Sequence, residues 1–374
     1  MTPLVSICMP HLNSGRFTRE RVESILRQTL PDWELVIIDS QSDDGSRQIL
    51  ESYAADDARI RLVQGPRDGI YTNLNRAIEL ASGKYIYIAT SDDTMVPECL
   101  EQMVQALEEN PDCGLCHCSL QIIDDQGRPV SEAEDWRAWS RQTECFGPWL
   151  DVPHVRRAPH DGILHLGLGT VYASLTQLLV RRRVFEELGL FRTDCSAYAD
   201  FEWGMRVGLN ENVVHLPNRL ATWRRHAAQA TQQEKQSQIR VSGEFHRLAG
   251  SALAAHQPRN PELVKALRKG VLRRFYLVDE VNIRRLSSAS KLQLILRMAV
   301  FVVKHPIFSL QWLYCKVVRR KKMMAEFGQV LRSEFARLGC PNLLEKLSDR
   351  RGPAAQTTDG SVGFPARTGP NARK

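Results

Sequence analysis

The chain has 374 residues, 43% of them hydrophobic and 25% charged, a globular composition that excludes fibrous and wholly disordered classes. Its net charge of +7 conceals a division: residues 1–234 carry 23 basic against 34 acidic residues, net −11, and residues 235–374 carry 27 against 9, net +18. No stretch reaches the ~18 uninterrupted apolar residues of a membrane span, and Thr2 to Pro10 lacks the basic start of a signal peptide, so the bulk of the protein is expected in the cytoplasm.

Leu4 to Met9 (LVSICM) reads as a buried strand. Pro10 to Gly15 is a loop, and Arg16 to Gln28 a helix with Phe17, Val22, Ile25 and Leu26 at helical spacing. Glu34 to Asp39 (ELVIID) is a second strand, Ser40 to Ser46 a turn and helix start, Gln48 to Ala55 a helix, and Ile60 to Val63 a third strand. The alternation predicts right-handed parallel crossovers and a layered α/β sheet. Gly65 to Gly69 is a loop and Tyr71 to Ala81 a helix. Lys84 to Asp93 (KYIYIATSDD) follows as a strand buried on both faces that ends abruptly in two carboxylates.

Pro97 to Glu109 is an amphipathic helix. Cys113 to His117 matches the C-x-x-C-H pattern of haem attachment, and Cys118 adds a third thiol. The stretch alternates like a strand, and no export signal precedes it. Buried thiols are therefore the expectation here, and free thiols for all nine cysteines. Residues 131–170, rich in Trp, Gly, Pro and His, form a long irregular stretch of the kind that is usually functional. Gln177 to Val180 is a strand, and Arg183 to Leu188 and Asp200 to Leu209 are helices.

Past about residue 232 the pattern is of basic-faced helices. Leu292 to Val303 and Ile307 to Val318 are apolar, separated by His305-Pro306 and closed by Arg319 to Lys322. Each is too short to cross a bilayer. They predict an interfacial pair on an anionic membrane, the alternative being a buried helical hairpin. Residues 351–374 read as a disordered tail. The expected organisation is a catalytic domain over 1–232, a basic helical extension over 233–350 and the tail. No recognition module points to nucleic acid.

Asp39, Asp68 and the Asp92-Asp93 pair follow the second, third and fourth strands, which places them on the carboxyl edge where open parallel sheets bind ligands. Adjacent carboxylates repel unless a cation sits beside them, so the pair points to Mg²⁺ or Mn²⁺; its bland reading is a solvated turn or helix cap. Asp39 suits a base or ribose, with a capping aspartate as the alternative.

PHLNSGRF, LVIIDSQSDDGS, RDGIYTNLNRAIELASGKYIYIATSDD and YADFEWGMRV together resemble the successive motifs of family 2 glycosyltransferases over about residues 3–232. The resemblance implies a GT-A fold with a mostly parallel central sheet, an inverting mechanism and a nucleotide-sugar donor, often UDP-linked. It places Pro10 and Asn13 beside the nucleotide, Asp39 at uracil or ribose, Asp68 near base and diphosphate, Asp93 on the metal and Asp92 near the donor sugar. The family's base is an acid at a helix start, often in a Glu-Asp pair. Here Ala199 stands in place of the glutamate, leaving Asp200 as the base and Glu202 as its rival; an ionised carboxylate suits removal of the acceptor hydroxyl's proton. Trp223-Arg224-Arg225-His226 resembles the closing motif, which puts His226 on the metal or diphosphate and an arginine, Arg224 or Arg225, on phosphate. Trp203 and Gly167 to Thr170 are candidates for the acceptor side.

The implied protein is a metal-dependent transferase acting on a glycan or lipid-linked acceptor at the inner face of the cell membrane, in cell-surface polysaccharide or glycolipid synthesis. A sugar nucleotidyltransferase is disfavoured because PHLNSG stands in place of a glycine-rich basic phosphate loop; no G-x-x-x-x-G-K supports a P-loop enzyme, and no early G-x-G-x-x-G supports a dinucleotide oxidoreductase. A catalytically silent scaffold that binds nucleotide sugar or glycan is the reading that Ala199 keeps open.

Overall fold

A computed structural model describes residues 2–132, 135–139, 146–168, 171–195, 198–226, 244–256, 260–270, 299, 303 and 343–347. Its centre is a nine-stranded sheet in the order β3-β2-β1-β4-β7-β5-β8-β6-β9. β1 (Val5–His11), β2 (Trp33–Asp39), β3 (Ile60–Gln64) and β4 (Tyr85–Ile88) pair in parallel. The crossovers are α1 (Gly15–Leu26), α2 (Ser46–Asp56) and α3 (Ile70–Leu80).

β7 (Leu178–Arg181) enters antiparallel between β4 and β5 (Cys113–Ile123), after which β8 (Asn212–Arg224) runs parallel to β5. β6 (His154–Arg156) and β9 (Leu344–Lys346) complete an antiparallel edge. The sheet is thus parallel over β3-β2-β1-β4 and mixed beyond. β9 is a strand within a region whose sequence reads as helical. Two antiparallel steps restore direction, so β4, β5 and β8 all point their carboxyl ends the same way.

Both faces of the sheet are covered, which is why β2 reads as continuous apolar sequence rather than alternation. Val36 and Ile38 join one buried cluster, and Leu35 and Ile37 the other. The first cluster lies under α3, α5 (His160–Leu168), α6 (Arg182–Leu188), α7 (Ala199–Asn210) and α8 (Glu244–His256); the second takes in residues of α1, α2 and α4 (Cys99–Glu109). Each fully buried aliphatic side chain contributes about 1.5–3 kcal/mol.

The C-x-x-C-H stretch lies in β5, with Cys113, Cys116, His117 and Cys118 all buried in the core. Among the described residues six cysteines are buried and lie outside any disulfide. Most of 292–322 lies outside the described residues, as does 351–374. Among the described residues no helix is long and apolar enough to cross a membrane.

Candidate active site

The rim is built where the parallel strands stop. β1 ends at His11 in register with Asp39 at the end of β2, the β3–α3 loop carries Asp68, and β4 runs out through Ala89 to Asp93. Ala89 N–H donates to the Cys8 carbonyl at 2.9 Å, holding the last of the ladder; the Thr90 hydroxyl then donates to Asp93 Oδ2 at 2.5 Å and turns the chain. β8 delivers Arg224, Arg225 and His226 to the same rim, since Arg224 N–H donates to Asp93 Oδ1 at 2.7 Å.

Asp93 is 1% exposed, and both carboxylate oxygens accept hydrogen bonds. Burial first, then the neighbouring Asp92 charge, push its carboxyl up to about 7. Asp92 is the more open acid, its side chain 22% exposed, and its Oδ2 lies 2.9 Å from His226 Nε2. The side chain that meets solvent is therefore Asp92, where the sequence resemblance gave the metal to Asp93.

Among the described residues no three His, Cys, Asp or Glu side chains converge as a ready-made metal cluster. A carboxylate and an imidazole in contact, beside a second acid held by hydrogen bonds, are nonetheless a donor set suited to Mn²⁺ or Mg²⁺, whose remaining positions are commonly filled by water and substrate phosphate.

The loops around this pair are stitched together. Ser14 Oγ and Ser91 Oγ are 2.9 Å apart. Asn13, at φ 48°, donates from Nδ2 to Asp43 Oδ1 at 2.8 Å, while Asp43 N–H donates back to Asn13 Oδ1 at 3.0 Å. Asparagine tolerates this left-handed backbone. Pro10 is buried within β1 opposite Ile38.

Asp39 is fully buried, accepting from Ser42 Oγ at 2.6 Å, Ser42 N–H at 3.2 Å and Arg47 Nη1 at 3.1 Å. Its carboxylate is covered by the Ser40–Gly45 loop rather than open to solvent. Asp68 is exposed beside Arg67, whose guanidinium donates to the Gln41 carbonyl and Asp43.

Arg224 departs from its phosphate-pairing expectation. It is 1% exposed, with Nε donating to the Asp92 carbonyl at 2.7 Å and Nη2 to Glu20 Oε2 at 2.7 Å. A guanidinium placed inside the protein must have its donors satisfied, and here the rim itself satisfies them. Arg225 is the partly exposed member of the pair.

Asp200 occupies the first turn of α7 and is partly exposed; its Oδ1 accepts from Phe201 N–H at 2.7 Å. Glu202, the rival base, is fully buried and ion-paired with Arg206 one turn on, at 2.9 and 3.2 Å. Trp203 is fully buried and stacks on Phe191 and Phe185 at 4.8 and 5.3 Å, so it faces the core and not a sugar. Phe191 stacks in turn on Tyr71 of α3 at 5.5 Å. That aromatic run ties α7 to the rim helix α3. Gly169 and Thr170 lie outside the described residues.

Sequence reasoning missed three features. His11 is 1% exposed, and its ring nitrogens make no hydrogen bond among the described residues. Phe17 and Glu20 of α1 enclose the rim from outside and carried no signal beyond helical spacing. A buried polar cluster joins β5, β6, β8 and α5: His117 and His215 meet through Nδ1 at 2.9 Å, and Arg156 pairs with Asp161 at 2.8 Å beside His154 and His165. Its members are scattered single residues in sequence.

An α/β sheet of this topology, with acids ranked along its carboxyl rim, is a GT-A type fold. Residues 6–189 match the glycosyl transferase family 2 model. It is 27% identical over 227 residues to the protein MT1568 of Mycobacterium tuberculosis, covering 60% of this chain and 68% of that one. It is 32% identical over 131 residues to the putative teichuronic acid biosynthesis glycosyltransferase TuaG of Bacillus subtilis, covering 35% of this chain and 52% of TuaG. The chain thus spans about half the length of TuaG. A structure of S. aureus TarS in complex with UDP-GlcNAc superposes with a TM-score of 0.56 at 15% identity, over 78% of this chain and 77% of that one, a likeness of fold.

Proposed function

We propose that the chain transfers a sugar, with inversion, from a UDP-linked donor to a hydroxyl of a glycan or lipid-linked acceptor, using Mn²⁺ or Mg²⁺. The observation that carries this reading is the contact of Asp92 with His226 beside buried Asp93, on the rim that also bears Asp39 and Asp68. Asp92 and His226 would hold the metal, and Asp93 supports the turn. Bound there, the cation supplies the positive charge that a leaving nucleoside diphosphate requires.

The chain's own residues do the rest. Asn13 and the Ser40–Gly45 loop form the nucleotide side with Pro10, Asp39 and Asp68, and Arg225 replaces Arg224 as the guanidinium nearest phosphate. Asp200 takes the acceptor hydroxyl's proton as oxygen attacks the anomeric carbon from the opposite face. Its candidacy rests on placement at a helix start and on the neutralisation of Glu202 by Arg206. The UDP-GlcNAc bound to TarS, a protein of the same fold, supports the choice of a UDP donor.

The +18 balance of residues 235–374 favours an anionic membrane surface at the cytoplasmic face, where a lipid-linked acceptor resides. The test is calorimetry of the full chain with UDP, GDP and CDP in the presence of Mn²⁺. UDP binding that disappears on chelation supports the reading, and no binding of any nucleoside diphosphate overturns it.

A further inference from the structure

The Asp92–His226 contact is one side of a closed ring of contacts. Arg224 Nε holds the Asp92 carbonyl at 2.7 Å, and its backbone N–H holds Asp93. The Arg224 guanidinium lies over the Phe17 ring at 4.8 Å, and Phe17 packs against the His226 imidazole at 4.7 Å. His226 then returns to Asp92. Phe17 is 7% exposed and helical, so the wall it offers both side chains is rigid.

The ring is anchored outside by one charge. Glu20, one turn beyond Phe17 on α1, accepts from Arg224 Nη2 at 2.7 Å, with Arg224 1% and Glu20 48% exposed. Glu20 thus fixes the rotation of the guanidinium plane. Without it, Arg224 keeps its Nε bond to the Asp92 carbonyl and a 3.3 Å bond from Nη1 to the Asp124 carbonyl, but the Nη2 end loses the charge that holds it and the guanidinium can shift against the Phe17 face.

We infer that Glu20, acting through Arg224 and Phe17, is a positioning residue that sets the Asp92–His226 geometry before any ligand arrives. It touches neither substrate nor metal. The inference rests on the donor-site reading given above, and adds that α1 tunes that site from the outer surface.

The experiment uses the full chain and Mn²⁺ with UDP as probes. Mn²⁺ affinity is read by electron paramagnetic resonance, and the thermal midpoint is measured alongside. Glu20→Gln keeps the side chain's shape and removes its charge, at a half-exposed position where folding is tolerant. It should weaken Mn²⁺–UDP binding by about 10-fold, the lower range for an outer-shell partner, with the midpoint lowered only modestly because Glu20 is half-exposed and with the variant fully folded at the titration temperature. Glu20→Asp, which keeps the charge, should recover part of that loss. Glu23→Gln, three residues on and facing Arg27, serves as control and should bind as the parent does.

Parent-like affinity in Glu20→Gln overturns the inference, and so does a loss matched by Glu23→Gln. If the parent chain itself binds neither Mn²⁺ nor UDP, the donor-site reading fails instead, and the two failures are told apart by that first titration.

Discussion

His226 Nε2 lies 2.9 Å from Asp92 Oδ2, joining residues 134 positions apart at the ends of β8 and β4. Neither strand neighbours the other in the sheet; β7 and β5 lie between them. The contact is made because the chain beyond Ile88 leans across the rim: Val96 N–H and Thr94 N–H bond to Leu220 and Thr222 of β8, bringing the two strand ends together. A carboxylate and an imidazole brought together from separate segments are a more specific signal than Asp-Asp adjacent in sequence.

Asp200→Asn should lower transfer by about 10²–10⁴-fold, the range of one general base, while UDP binding stays within twofold of the parent. Glu202→Gln should behave differently. It strands the buried Arg206 charge and costs on the order of 3–5 kcal/mol of stability, with transfer per folded molecule retained. Denaturant titration and single-turnover assays of both variants check this. Normal turnover in Asp200→Asn would remove it from the role.

Stability should fall on the acid side. Burial holds His154 and His165 down at about 3 and keeps His117 and His215 well below their ordinary range. Unfolded imidazoles take up protons near 6.5, so the histidine contribution is flat above that pH and is lost as pH falls below it; Asp93, raised to about 7, works in the opposite direction but is one group against four. Each such histidine contributes about 1.4 kcal/mol per pH unit. Asp161, held low by Arg156, adds loss in the same direction at lower pH. Thermal midpoints across about pH 5 to 8 should drop steeply below about 6; a flat profile contradicts the neutral cluster.

Gly162 and Gly208 fix the approach of α5 to α7, the helix that carries Asp200. A Cβ on Gly162 would lie 2.4 Å from Leu209 N, and one on Gly208 would lie 2.5 Å from Gly162 N. Because the obstacles are backbone, Gly162→Ala should destabilise by about 1–3 kcal/mol, as overpacking does. Calorimetric melting of the variant decides, and an unchanged midpoint would refute so close a packing.

The basic apolar segments at 292–318 predict membrane association. The full chain should float with anionic vesicles, and a chain lacking residues 291–322 should remain behind. Equal flotation of the two would place membrane contact elsewhere or nowhere in that segment.

The parallel half of the fold was legible because LVSICM, ELVIID and KYIYIA are short apolar runs separated by helical periodicity. Their order forces Asp39, Asp68 and Asp92-Asp93 onto one edge. β7 and β9 were harder: the direction of β7 depends on a long irregular connection, and β9 is three residues, Leu344–Lys346, without alternation.

At the site, residue types were readable and orientations were not. Asp93 and Arg224 look like ligands in sequence, yet Asp93 is tied by the Thr90 hydroxyl and the Arg224 N–H, and the Arg224 guanidinium by the Asp92 carbonyl and Glu20, leaving Asp92 as the open carboxylate. Glu20 and Phe17 look like ordinary helix residues, and only their meeting with β8 gives them a role. The buried histidines are single letters spread from His117 to His215; strand register brings His117, His154 and His215 together, and α5 adds His165.

The most direct measurement is nucleoside diphosphate release from a set of nucleotide sugars with Mn²⁺ or Mg²⁺, for the parent chain and for Asp92→Asn and His226→Ala. Release of UDP from one UDP-sugar, abolished by chelation and reduced at least about 100-fold in both variants while their melting is unchanged, is the predicted result. Parent-like release from both variants would contradict the account.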